Sequence, residues 1–75
     1  MTDDFYDIIN RYFYTGNSER IYASIIDDIE KAVIAKALER SGGNQVAASK
    51  ILGLHRNTLS NKIKKLNIDV ERYRS

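Results

Sequence analysis

The chain has 75 residues, with 12 basic and 10 acidic side chains, a formal net charge of +2, 43% hydrophobic residues and neither cysteine nor proline. A chain of this size makes one domain and buries only about 60% of its unfolded surface, which favours association with a partner. Without cysteine there is no disulfide, thiolate metal site or cysteine nucleophile, and the single histidine, His55, has no nucleophile arrangement near it, so no catalytic residue, metal or cofactor is expected.

Phe5, Ile8, Ile9, Tyr12 and Phe13 recur at the spacing of one helix face and predict a first helix, α1, over about residues 3–14. Thr2 is its expected N-cap, and Asp3 and Asp4 complement its dipole. Gly16 suits the left-handed position that ends α1, and Asn17 or Ser18 caps α2, which runs to about Ser41. Gly42-Gly43 stops α2, Asn44 caps α3 through about Leu52, and Gly53 makes a tight turn into α4, from His55 or Arg56 to Leu66. The tail from Asn67 frays unless Ile68 folds back onto the core. The reading is all-α: one domain over 1–75, with 1–41 serving dimerisation, 42–66 forming a helix-turn-helix and 67–75 a tail.

More of the circumference of α2 is apolar than one core requires. Tyr22, Ile26, Ile29 and Val33 fall at near-heptad spacing, and Ile21, Ile25, Ile34, Ala37 and Leu38 widen the stripe. The short α1 cannot cover all of this. A second copy can, giving a homodimeric four-helix bundle with Ile8, Tyr12, Tyr22, Ile25, Ile26, Ile29 and Val33 at the interface. The alternative is a monomeric core helix.

Charge divides the chain. Residues 1–30 carry two bases against seven acids, and residues 31–75 carry ten bases against three acids. A phosphate backbone attracts the second part and repels the first. Ala48, Ile51 and Leu52 on α3, Leu54 in the turn, and Leu59, Ile63 and Leu66 on α4 are expected to lock the two helices together, with the small Ser49 where α4 approaches closely. That packing turns Asn57, Asn61 and Lys64 outward, with Ser60 on one flank and Thr58, Lys62 and Lys65 on the other. Asparagine pairs bidentately with adenine and arginine with guanine, while lysine holds phosphate without reading sequence. Arg56, at the start of α4, is within reach of either a base or the backbone. From Arg56 to Leu66 there are four cations and no anion, which points to double-stranded DNA rather than to an ordinary solvated face.

Other groups receive plainer readings. Asp27, Asp28 and Glu30 scatter around α2 and read as a solvated face. Tyr6, Tyr12, Tyr14 and Tyr22 lie in the acidic part and read as core and dimer packing rather than base stacking. His55 reads as a cap or phosphate contact. No phosphate loop is present, so any ATPase belongs to another polypeptide region. The acidic start lacks the pattern of a signal peptide and no apolar run reaches the roughly 20 residues of a bilayer span, so a cytoplasmic, nucleoid-associated protein without membrane partners is expected. A competing reading is a helical dimerisation or adaptor module whose basic helix binds an acidic protein.

The stretch from Ile21 to Leu66, and above all Gly43-Asn44-Gln45, Ala47-Ala48, Gly53, Arg56-Asn57-Thr58-Leu59 and Lys62-Ile63-Lys64-Lys65, resembles the Fis type of helix-turn-helix. That type occurs in the factor for inversion stimulation and in the C-terminal domains of nitrogen-regulation-type activators that work with the alternative sigma factor. The resemblance extends weakly to Arg11-Tyr12-Phe13. It implies a dimer through α1 and α2, α4 in the major groove, and DNA contacts from Asn44, Arg56, Thr58, Asn61 and Lys62, with bent DNA where the two recognition helices sit close together. Ser60 stands where Fis has a long basic residue, and His55 replaces the asparagine that caps its recognition helix. Ser60 and the Arg56-Asn57-Thr58-Leu59 string look closer to the activator branch. The β-hairpin that Fis uses to stimulate recombinases has no counterpart ahead of Thr2. The resemblance therefore implies bacterial transcription regulation, either by a free-standing protein or by the DNA-binding domain of an activator with a fused or associated ATPase or receiver region.

Overall fold

The computed structural model describes residues 4–15 and 20–74. Within them the chain is all helical: α1 spans Phe5–Thr15, α2 Ile21–Ser41, α3 Gln45–Leu52 and α4 Arg56–Lys65, and a short 3-10 turn follows at Val70–Tyr73. The expected capping roles of Thr2, Gly16, Asn17 and Ser18, and the dipole role of Asp3, fall outside the described residues. At the start of α1 it is Asp4 that caps, its Oδ1 accepting the Asp7 N–H at 3.0 Å. The N-cap position of α2 is occupied by Arg20, whose side chain makes no capping bond.

The helix ends around the turn follow from backbone chemistry. Gly42 takes φ 62° and Gly53 φ 72°. In each case the next residue's N–H reaches back to the final turn, Gly43 to the Leu38 carbonyl and Leu54 to the Ser49 carbonyl, both at 2.9 Å. This closure satisfies carbonyls that would otherwise be orphaned and redirects the chain sharply. Asn67 repeats it after α4 at φ 57°, with the Ile68 N–H donating to the Ile63 carbonyl at 3.0 Å. Asparagine is the non-glycine residue best suited to that conformation.

The core sits where the C-terminal half of α2 meets α3 and α4. Ile34, Ala37 and Leu38 of α2, Ala48 of α3, and Leu59 and Ile63 of α4 are buried together, and Leu38 and Leu59 are fully enclosed. Ser49 is buried as its size suggests, its hydroxyl donating to the Val46 carbonyl at 2.7 Å. Leu52, Leu54 and Leu66 pack around this cluster. Ile51 does not: it is 54% exposed, because α3 turns Ala48 and Ser49 toward its neighbours and leaves the Ile51 flank uncovered.

The tail does not fray at the end of α4. Ile68, Val70 and Tyr73 pack against the core, and the Asp69 carboxylate caps the 3-10 turn by accepting the Glu71 N–H at 3.1 Å. Apolar residues at 68, 70 and 73 thus tie down a segment with no long helical period of its own.

At the other end α1 contributes no fully buried residue. It rests on α2 through the half-buried Ile8, Ile9 and Tyr12, with the Tyr12 hydroxyl donating to Asp28 Oδ2 at 2.7 Å. That bond to a carboxylate raises the tyrosine above its ordinary pKa, with smaller contributions from burial and from the Asp28 charge. Tyr6, Tyr14 and Tyr22 are strongly exposed, which corrects the expectation of core packing for them within one chain. The Cα radius of gyration is 14.1 Å, whereas a compact chain of this length would have about 11 Å.

Candidate nucleic-acid interface

The helix-turn-helix presents one face of α4 to solvent because the other is spent on the core. With Leu59 and Ile63 buried, Arg56, Asn57, Thr58, Asn61, Lys64 and Lys65 are exposed and Ser60 is half-buried at the edge. Of the nine candidate contacts on this face and at the start of α3, all but Ser60 and Lys62 are exposed. Asn44 is exposed too, but its carboxamide is occupied: Oδ1 accepts the Ala47 N–H at 3.0 Å and holds the first turn of α3. His55 occupies the N-cap position of α4 in an extended conformation without a side-chain capping bond, so its exposed imidazole is not the cap that the sequence offered as one of its two readings.

Lys62 is not simply a free cation on the flank. Its Nζ lies 2.7 Å from Glu30 Oε2, and both side chains are about one-third exposed, at 32% and 29%. Lys65 Nζ stands 4.0 Å from Asp27 Oδ1. The acids of α2 read from sequence as a solvated face are therefore partners: Asp27 and Glu30 face α4, and Asp28 holds Tyr12. Two consequences follow. The flank of α4 nearest α2 is partly neutralised, and the surplus positive charge concentrates at Arg56 and Lys64 on the outer face. For Lys62 to reach a phosphate, it must exchange one anion for another.

Beyond α4, an open cleft runs from the Gly42-Gly43-Asn44 turn past Arg56 to Arg74 of the tail. Sequence reasoning did not find Arg74, because its neighbours in space lie some thirty residues earlier in the chain and no local period marks it.

The expected interface stripe on α2 separates cleanly from the core residues of the same helix. Ile34, Ala37 and Leu38 are enclosed, whereas Tyr22, Ile26, Ile29 and Val33 stay exposed, Tyr22 at 80% and Val33 at 47%. Ile8, Tyr12 and Ile25 are half-buried within the chain. No group of three or more metal-ligating side chains comes together among the described residues, and no helix there is long and apolar enough to cross a membrane.

Comparison with known proteins places this geometry. Residues 25–66, from the second turn of α2 to just past the end of α4, match the family model described as bacterial regulatory protein, Fis family. The chain is 40% identical over 55 residues to the DNA-binding transcriptional regulator NtrC of Azospirillum brasilense, covering 73% of this chain and 11% of that protein. It is 42% identical over 58 residues to a putative Fis-like DNA-binding protein of Neisseria meningitidis, covering 73% of each. A signal-transduction and transcriptional-control protein of Clostridium beijerinckii is 44% identical over 45 residues, 7% of its length. The chain thus spans about a tenth of the NtrC relatives that it matches. No solved structure matches significantly. With the match covering α3, the turn, α4 and the half of α2 that builds their core, the chain belongs to the Fis family of bacterial regulatory proteins.

Proposed function

We propose that this chain is a homodimeric, sequence-selective double-stranded DNA-binding module of bacterial transcription regulation, with α4 in the major groove. The observation that carries the reading is the face of α4: Arg56, Asn57, Thr58, Asn61 and Lys64 stand exposed on a helix whose opposite face is anchored by the buried Leu59 and Ile63. A recognition helix needs both, a rigid mount and a row of side chains matched to base edges and phosphates. Arg56, Asn57, Thr58, Ser60 and Asn61 are assigned to the groove, and Asn44, Lys64 and Lys65 to the backbone. Lys62 joins the backbone set when phosphate displaces Glu30.

The open stripe of Tyr22, Ile26, Ile29 and Val33 supports the dimer, as does a radius of gyration too large for one compact chain. A second copy packed there gives DNA two recognition helices, and their separation decides whether the duplex bends. The chain works in the cytoplasm on the nucleoid. Its similarity both to a Fis-like protein and to much longer NtrC regulators suits a free-standing binder or a module of an activator whose ATPase or receiver region lies elsewhere.

Selection from a random duplex library tests the reading. Enriched sites should bind at least about a thousandfold more tightly than scrambled duplex at physiological salt. Arg56→Ala should erode that discrimination by about 1–3 kcal/mol at the base it reads. A library that yields no preferred site, with equal binding to all duplexes, refutes selective recognition; preferential binding to an acidic protein would favour the adaptor reading instead.

A further inference from the structure

The cleft beside α4 holds two arginines, and only one belongs to the helix-turn-helix. The turn residues Gly43 and Asn44, the first residues of α3, Gln45 and Val46, and the two arginines, Arg56 and Arg74, line the cleft together. Gln45 and Val46 open α3, so their N–H groups are first-turn donors that no helical carbonyl reaches. None of the lining residues is acidic.

Arg74 is held in this place by construction. Val70 and Tyr73 anchor the tail on the core, and the Arg74 N–H closes back on the Glu71 carbonyl at 3.2 Å. Its aliphatic stem lies over the buried Gly43, where a Cβ would come within 2.8 Å of Arg74 Cγ and 3.2 Å of its backbone nitrogen. A side chain at position 43 would therefore collide with the packed tail. The guanidinium meets one anion, Glu71, at 3.2 Å, but both side chains are mostly exposed, at 62% and 74%. A pair that open to water contributes little and yields readily to a phosphate.

We propose that this cleft seats a backbone phosphate of duplex DNA and that Arg74, eight residues beyond the matched segment, is a DNA-contacting residue. The inference rests on the reading of α4 as the recognition helix and adds to it a role for the tail. Arg56 and Arg74 bracket the phosphate while the α3 amides face it, so the 3-10 turn acts as a brace that sets the register of α4 in the groove. The contact is to backbone alone and does not discriminate between sequences.

The test measures binding of the whole chain to a mixed-sequence duplex of about three helical turns, as a function of salt. Arg74→Ala should weaken binding by about threefold to tenfold and reduce the salt slope by about 0.9 per protomer. Arg74→Lys, which keeps charge and stem, should recover most of the slope, and Glu71→Gln should bind as well as the parent or more tightly. Unchanged affinity and slope in Arg74→Ala overturn the proposal. So does a loss of affinity with an unchanged slope, or an equal loss in Glu71→Gln, since either would make the residue a structural element of the tail. Failure of the parent chain to bind any duplex would instead sink the reading of α4 itself.

Discussion

Ile26→Asp is the sharpest probe of the exposed stripe on α2. Ile26 is 39% exposed and lies outside the buried cluster of its own chain, so the substitution leaves the monomer core untouched. Full burial of an isoleucine side chain contributes about 1.5–3 kcal/mol, so covering the remaining two-fifths is worth about 1 kcal/mol per protomer and about 2 kcal/mol across a twofold interface. The new carboxylate costs more. On α2 its helical neighbours one turn away include Tyr22 and Glu30 and no cation, so in a closed bundle it would be buried unpaired, at about 3–5 kcal/mol. A combined loss of about 5 kcal/mol or more raises the dimer dissociation constant by over a thousandfold. Sedimentation velocity across a concentration series reads this directly, with circular dichroism to show that helix content is retained. A parent that sediments as a monomer, or an Ile26→Asp variant that remains dimeric at the same concentrations, would refute the bundle.

Glu30→Gln removes the partner of Lys62. For a pair about one-third exposed the loss is about 0.5–1 kcal/mol in urea unfolding, while the released ammonium should tighten binding to mixed-sequence duplex by about threefold; weaker binding with unaltered stability would show that the pair does not restrain Lys62. Leu38→Ala empties the centre of the core beside Ala48 and Leu59 and should cost about 3–5 kcal/mol in chemical denaturation, enough to threaten folding of a domain this small. A cost below about 1 kcal/mol would place the core elsewhere. Gly53→Ala meets no atom within 4 Å, so its cost is the left-handed backbone alone, about 1 kcal/mol by the same assay; a much larger loss would mean that the added methyl meets packed atoms after all.

The helix-turn-helix was legible because its punctuation is local. Asn44 caps α3 through the next turn, and Gly42 and Gly53 take the φ values that a side chain resists, so a few adjacent residues dictate each boundary. The mount and the outward face of α4 follow from a 3.6-residue period, which needs no knowledge of the rest of the chain. What the sequence concealed depends on distance along it. Glu30 and Lys62 are 32 residues apart, and nothing in the pattern of either helix announces their pairing. The same holds for Arg74 over Gly43, and for a tail whose grip comes from Ile68, Val70 and Tyr73 meeting a surface built by earlier helices. Ile51 illustrates the converse error: α3 turns Ala48 and Ser49 inward, so an apolar residue on its adjoining flank stays exposed. At the start of α2, Arg20 holds the N-cap position without a side-chain bond, so no capping pattern at that residue marks the boundary.

Whether the outer face of α4 enters duplex DNA decides the proposed function. Backbone amide chemical shifts, followed while a selected duplex is added to the isotope-labelled chain, locate the contact directly. The largest changes should map to residues 56–65, to the start of α3 at 44–46 and to Arg74, with α1, in the acidic part of the chain, left nearly unperturbed. Changes confined to the apolar stripe of α2, or none along α4 at saturating duplex, would contradict a recognition role for that helix.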